Sequence, residues 1–303
     1  MTSTTVKPVV VGIDGSMEAS HAALWAVEEA LGRNVPLRLV YVVRTDLTGP
    51  LSAEQYQLAV DDAKLALHAV RSEIESADRS VEVQTEIMEG APAGVLLAES
   101  PYADMICVGA SGLGRLGRAI LGSTASAVAE RASCSVAIIH SPDGVEPADG
   151  LTKWVMVPVS IFTDNDVFEV AVDQARMLGR PVLAVGVWHP DLGATPYDAL
   201  DSLVAGWQER YPDVHIYPVS NDTTMSGFLN AHPDMPGLVV VDPSSAVDVT
   251  ALIGNAHHRR HNDGERAVFV ARNYVNARPP DASLASPALE PNIKEDRTCT
   301  QTL

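Results

Sequence analysis

The stretch "VGASGLGRLGRAILGSTASAV", residues 108–128, holds three overlapping glycine patterns. Gly112, Gly114 and Gly117 spell G-x-G-x-x-G, the fingerprint of a dinucleotide-binding turn. The run from Gly112 to Gly117, followed by Arg118, lies close to a P-loop. Gly109, Gly112, Gly122 and Ser123 give a third spacing, G-x2-G-x9-G-S. Each pattern belongs to a different α/β fold, so its place in the chain decides among them.

Working outward from this stretch gives that place. "VVVGI" at 9–13 is a β-branched run ending in Asp-Gly-Ser, a buried strand meeting a turn. Residues 17–31 place Ala23, Leu24, Val27, Ala30 and Leu31 on one helical face, with Gly32 as the expected C-cap and Pro36 beyond it. "PLRLVYVV" is a second strand, residues 52–77 a long helix, and "VEVQTEIMEG" a third strand. Residues 92–99 are helical, "DMICVGAS" is a fourth strand, a helix starts near Ser123, and "CSVAIIH" is a fifth strand. Strands and helices alternating with short links predict an α/β, doubly wound, Rossmann-like parallel sheet.

The order then returns. "KWVMVPVS" at 153–160 aligns with "KPVVVGID" at 7–14, "GLVVVDPSS" with "DMICVGASG", "ALIGN" with "AILGS", and "RAVFVAR" repeats the closing strand. The chain reads as one module of about 140 residues duplicated in tandem, which is the self-similarity of a repeat architecture. The boundary falls in the Pro-, Gly- and Asp-rich "HSPDGVEPADGLT", giving modules at 1–144 and 145–278. Residues 279–303 lack apolar periodicity and read as a disordered tail.

Composition narrows the function. The chain has 303 residues, a formal net charge of -18 and 46% hydrophobic residues. That acidity argues against nucleic acid and against an anionic membrane as partners. A compact anion held by backbone N–H groups needs few cations and remains compatible with it. Three cysteines, Cys107, Cys134 and Cys299, are too few for a disulfide framework and fit a reducing cytoplasm; Cys107 is expected in the core. "MTSTTVKPVV" has no signal-peptide apolar region, and no run reaches the ~18 residues of a membrane span.

The glycine patterns can now be separated. A dinucleotide fingerprint follows the first strand, with an acidic residue closing the second strand. Here the pattern follows the fourth strand, and Glu130 falls in a helix. The P-loop fails because Arg118-Ala119 supplies neither the phosphate-binding lysine nor the metal-binding hydroxyl. In the third spacing, Gly109 and Gly112 leave the sheet at its carboxyl edge, where ligands of open α/β sheets bind. Gly122, Ser123 and Thr124 then open a helix, presenting N–H groups, hydroxyls and a positive dipole end. Asp14 ends the first strand at the same edge.

These residues resemble the universal stress protein family, in its tandem, ATP-binding form. The resemblance rests on "VVVGIDGS", the G-x2-G-x9-G-S element, "GWQERYP" at 206–212, and the repeat. It implies that Asp14, beside Ile13, accepts from the ribose, that the Val42 backbone reads adenine, and that Gly90 lines the adenine side. It implies a phosphate loop at Gly109, Gly112, Gly122, Ser123 and Thr124, with Arg115 and Arg118 screening the phosphates. ATP, with Mg2+ at the phosphates, is the implied cofactor. A cytoplasmic stress-response protein signalling to unidentified protein partners is the implied role. A homodimer is also implied, or two modules of one chain packed as a pseudo-dimer. A slow nucleotide hydrolase or transferase on the same fold is the competing reading, and no general base or P-loop lysine supports it.

The second module departs from the pattern. Ser160 stands for Asp14 and Pro158 for Gly12; Asp242 and Ser245 replace the loop glycines, the spacer is one residue short, and Asn255 replaces the serine. ATP is therefore expected in the first module only. Elsewhere, "HHRRH" at 257–261 is read as a solvated segment because Arg259 and Arg260 oppose a metal there. Trp25, Trp154, Trp188 and Trp207 are read as packing, Asp61-Asp62 as a solvated helix face, and no Ser/His/Asp arrangement is recognisable.

Overall fold

Val9, Val10 and Val11 have no exposure at all on the first strand, β1 (Val9–Ile13). A strand buried on both faces needs helices above and below it, the condition of a parallel α/β sheet. The computed structural model meets that condition. It describes residues 6–45, 51–77, 80–112, 121–141, 154–160, 163, 165–187, 197–232, 235, 237–253 and 266–272. The predicted tail, "HHRRH", Trp188, Cys299, Arg115 and Arg118 lie outside the described residues.

The first half continues with α1 (Met17–Arg33), β2 (Leu37–Arg44), α2 (Ala53–Ser76), β3 (Val83–Gly90), α3 (Pro92–Glu99), β4 (Met105–Gly109), α4 (Ser123–Arg131) and β5 (Ser135–His140). The second half has β6 (Trp154–Val159), α5 (Asn165–Leu178), β7 (Val182–Gly186), α6 (Tyr197–Arg210) and β8 (Ile216–Ser220). It closes with α7 (Met225–Ala231), β9 (Gly237–Val241), α8 (Val249–Ile253) and β10 (Arg266–Val270).

The described strands join one ten-stranded sheet in the order β3-β2-β1-β4-β5-β10-β9-β6-β7-β8. Within each half the pairs are parallel, with Val9 opposite both Leu37 and Met105, and Trp154 opposite Gly237. The halves meet where β5 and β10 pair antiparallel, with Phe269 opposite the small Ala137. The two halves thus show the same order, 3-2-1-4-5, back to back.

Helices α1, α2, α5 and α6 cover one face of the sheet, and α3, α4, α7 and α8 the other. Each apolar layer runs across the junction without a break, and each fully buried Val, Leu or Ile contributes roughly 1.5–3 kcal/mol. Cys107 has no exposure and behaves as a small hydrophobe, as expected. Trp207 of the "GWQERYP" segment stacks on Phe168, ring centroids 3.6 Å apart, so its role there is packing.

One expectation needs correction. Helix α1 passes through Gly32 to Arg33 and ends on Asn34, whose left-handed backbone (φ 54°) lets its N–H reach the carbonyls of Ala30 and Leu31. Gly32 serves packing instead: a Cβ there would collide with Met177 of α5 across the junction. Next to it, Gln174 of α5 donates to Glu29 Oε2 of α1 at 3.1 Å, and Arg33 donates to the same oxygen at 3.0 Å. Burial pushes the Glu29 carboxyl pKa upward, while Arg33 and Gln174 oppose that shift.

Candidate functional site

In the first half the strand order reverses between β1 and β4, the switch point where open α/β sheets form a crevice at the strands' carboxyl ends. Asp14 follows β1 at that edge, and one of its oxygens, Oδ1, accepts from Ser16 N at 3.0 Å. Gly15, at φ 84°, makes this tight turn, and Ser16 caps α1 by accepting from Ala19 N at 3.2 Å. Ile13, buried, is the last residue of β1 and pairs with Tyr41. Val42, one position further along β2 and opposite Met88, is partly buried against the α3/α4 layer. Gly90 ends β3 at φ 133°, a backbone state that side chains rarely adopt, with Val95 of α3 close by.

The β4 loop comes to Asp14 from the other side. A Cβ on Gly112 would collide with Asp14 Oδ2, so glycine is what lets the loop and the carboxylate share this space. A Cβ on Gly109 would lie 2.9 Å from the Glu18 carbonyl carbon, so only glycine lets β4 pass under the start of α1. Gly122 N donates to Ala110 O at 2.8 Å, which folds the start of α4 back onto the loop. Gly122 is the N-cap of α4 and brings no capping side chain. The first-turn N–H groups of Ser123 and Thr124 therefore have no side-chain cap, and Ser123 itself is exposed. The structure brings together Asp14, Gly109, Gly112 and Gly122; Val42 and Gly90 lie along the same edge, on β2 and β3.

Sequence reasoning missed a group of three residues under this loop. Glu18 Oε2 accepts from both Ser111 N and Ser111 Oγ, the latter at 2.7 Å, and Glu18 Oε1 lies 3.0 Å from His140 Nδ1. Burial pushes the Glu18 carboxyl upward, but the hydrogen bonds from His140 and Ser111 outweigh it and hold the pKa below its ordinary value. The three residues come from α1, the β4 loop and the end of β5, separated by 93 and 122 positions. Only the order β1-β4-β5 makes those ends neighbours.

The second half differs at the matching positions. Ser160 N donates to Thr163 Oγ1 at 2.7 Å, where Asp14 makes its turn in the first half. After β9, Asp242 folds back on its own loop. Its Oδ1 accepts from Ser244 N at 2.7 Å and Ser245 N at 3.1 Å, while Oδ2 accepts from Ser245 Oγ at 3.1 Å. Burial raises the Asp242 pKa, yet these bonds prevail and hold it below the ordinary carboxylate value. Pro158 sits inside β6 opposite Val185, as its alignment with Gly12 predicts.

A strand-end aspartate, a glycine loop and an uncapped helix start at one switch point accord with what the chain is similar to. The sequence profile of the universal stress protein family matches residues 5–140. Universal stress protein Rv2624c of Mycobacterium tuberculosis strain H37Rv is 36% identical over 269 residues, covering 88% of this chain and 97% of that protein. The chain belongs to the universal stress protein family.

A second mycobacterial relative, universal stress protein Rv3134c, is 37% identical over 250 residues, covering 79% of this chain and 90% of its own length. The crystal structure of a universal stress protein from Archaeoglobus fulgidus superposes with a TM-score of 0.66 over 88% of this chain and 96% of that one. At 15% identity it supports the shared fold alone. Among the described residues of this universal stress protein, no group of three or more His, Cys, Asp or Glu could hold a metal ion. No described helix is long and apolar enough to cross a membrane.

Proposed function

We propose that this universal stress protein binds ATP at the β1/β4 edge of its first half and signals through the occupancy of that site. The observation that carries the reading is the convergence of Asp14 with the Gly109–Gly112 loop, where a side chain on Gly112 would run into the Asp14 carboxylate. Asp14 takes the ribose hydroxyls, the Val42 backbone faces adenine, and Ile13 and Gly90 flank them. The N–H groups of Gly112 and of the first turn of α4, Ser123 and Thr124, take the phosphates, as backbone donors at a helix start do, while Gly109 and Gly122 shape the loop, Gly122 N–H going to Ala110 O. Arg115 and Arg118, in the segment between Gly112 and Gly122, screen the phosphate charge, and Mg2+ accompanies it. The residues fit the ligand in kind: the loop offers donors with no side chain in front of them, and a carboxylate stands where hydroxyls need an acceptor.

The same reading divides the chain into modules 1–144 and 145–278, with ATP in the first. It makes the second a packing and partner surface in a cytoplasmic, homodimeric protein. Binding rather than turnover is favoured because Arg118-Ala119 stands where a phosphate-transferring loop needs lysine and hydroxyl. The test is to purify the protein, extract it, identify any nucleotide by mass, and titrate the stripped protein with ATP. ATP or ADP in the extract, and saturable ATP binding afterwards, are expected. Neither nucleotide nor binding of added ATP would end the reading.

A further inference from the structure

Ser111 lies between the two loop glycines, and the peptide before it is held at both ends. Ala110 N donates to Ile139 O at 2.8 Å, and Ala110 O accepts from Gly122 N at 2.8 Å. Ser111 then gives both its N–H and its hydroxyl to a single oxygen of Glu18, whose other oxygen faces His140. The second half treats the matching serine alike: Ser244 gives its N–H and its hydroxyl to Asp242 Oδ1. Both halves thus clasp the same serine with a carboxylate. In the second half that carboxylate comes from the loop itself, at the position of Gly109. In the first it reaches in from α1, on the side where a Cβ on Gly109 would meet the Glu18 backbone.

We infer that Glu18 is a positioning residue for the phosphate end of the nucleotide site, and that His140 holds Glu18 in that role; the inference rests on the ATP reading above. A loop that starts on glycine, as the close approach of α1 demands, has no carboxylate of its own to order its turn. Glu18 supplies it from the side away from the ligand. Ser111 N–H is then committed, leaving Gly112 and the first turn of α4 as the donors presented to phosphate.

Charge and geometry make opposite forecasts here, which gives the test its power. A carboxylate near a polyphosphate repels it, so by charge alone the removal of Glu18 tightens ATP binding. By positioning, its removal frees Ser111 and loosens the donors, so ATP binding weakens while contacts to adenine and ribose are untouched.

The experiment is calorimetric titration of the full chain with ATP and, separately, with adenosine, for wild type, Glu18→Ala, Glu18→Gln and His140→Ala. The Ala variant at 18 is expected to raise the Kd for ATP by at least about tenfold, as loss of charged hydrogen bonds in a pre-organised site does. Its Kd for adenosine should change less than about twofold, since those contacts do not pass through Ser111. Glu18→Gln keeps an acceptor oxygen for Ser111 and falls between the two, a rescue that also keeps the test open if the Ala variant folds poorly. His140→Ala should follow the direction of Glu18→Ala with a smaller change. Unchanged or tighter ATP binding in Glu18→Ala, or equal losses for ATP and adenosine, overturns the assignment while leaving the ATP reading in place. A wild type that binds neither ligand overturns both.

Discussion

After β4 the chain runs Gly109-Ala110-Ser111-Gly112; after β9 it runs Asp242-Pro243-Ser244-Ser245. Both loops leave the carboxyl edge of a strand beside the first strand of their own half, and both lead toward a helix on the same face of the sheet. In the first, Glu18 of α1 takes the Ser111 N–H and hydroxyl from behind, and the start of α4 has no side-chain cap. The second spends its own N–H groups on Asp242, which accepts from two backbone N–H groups and two hydroxyls. The difference is where the carboxylate comes from: in the second half it comes from the loop itself and takes two successive N–H groups, and in the first it comes from α1 and takes only that of Ser111. The two halves thus keep the same strand order while their loops after β4 and β9 are ordered by carboxylates from different places.

The largest expected effect lies in the open loop. A Cβ on Gly122 would sit 3.4 Å from Ala110 O and 3.8 Å from Ser111 Cα, ordinary contacts that the fold accommodates. Gly122→Glu should therefore leave the melting temperature nearly unchanged while weakening ATP binding by at least about a hundredfold. A carboxylate at the helix start occupies the phosphate position and repels the ligand by on the order of 1–4 kcal/mol. Calorimetry that finds ATP affinity intact would remove this loop from the site.

Gly109→Ala should act through the fold instead. Its Cβ would press on backbone atoms of Glu18, so α1 must shift, a strain costing roughly 1–3 kcal/mol. Denaturant unfolding checks it, and a value near zero would show that α1 gives way freely. In the closed loop, Asp242→Ala should cost about 1–2 kcal/mol through loss of the cap and its hydrogen bonds, without creating an ATP site.

The pH dependence carries the same contrast. Asp242 and Glu18 have pKa values held below the ordinary carboxylate range in the folded protein. Their stabilisation is thus complete above the unfolded value, about 4, and is lost as pH falls through the folded value. Asp242→Asn should flatten the loss of stability below about pH 5, measured as melting temperature against pH. Glu29, at the junction, has the opposite sign. Its folded pKa is raised, so the advantage it confers is present at low pH and disappears as pH rises through the folded value. Its Oε1 and Gln174 Oε1 are buried with no hydrogen-bond partner among the described residues. Glu29→Gln removes the buried charge and adds a donor. It should leave stability at neutral pH unchanged or raise it by up to about 1 kcal/mol, the smallest effect forecast here.

Much of this was legible in the sequence. The apolar runs marked β1, β2, β4, β5, β6, β9 and β10, because buried parallel strands read as continuous apolar segments; β8 (Ile216–Ser220), an edge strand with Tyr217 exposed and Pro218 inside it, was not read from the sequence. The spacing of Gly109, Gly112, Gly122 and Asp14 was legible because each stands at a strand end or helix start, where local sequence marks the position. Glu18, Ser111 and His140 were not, since their meeting depends on strand order rather than on any local pattern. The end of α1 was misplaced at Gly32 for a similar reason. The neighbour a side chain there would meet is Met177, in the other half of the chain. The role of Asp242 was half legible: the replacement of glycine was visible, but its return to its own loop was not.

The central claim is that one half of the chain is open to ATP and the other is closed. Titrating stripped full-length protein with ATP and counting sites per chain tests it most directly, with Asp14→Ala and Ser160→Ala as companions. The account predicts one site per chain, lost in Asp14→Ala and retained in Ser160→Ala. Two equivalent sites, or a single site that survives Asp14→Ala and vanishes with Ser160→Ala, would contradict it.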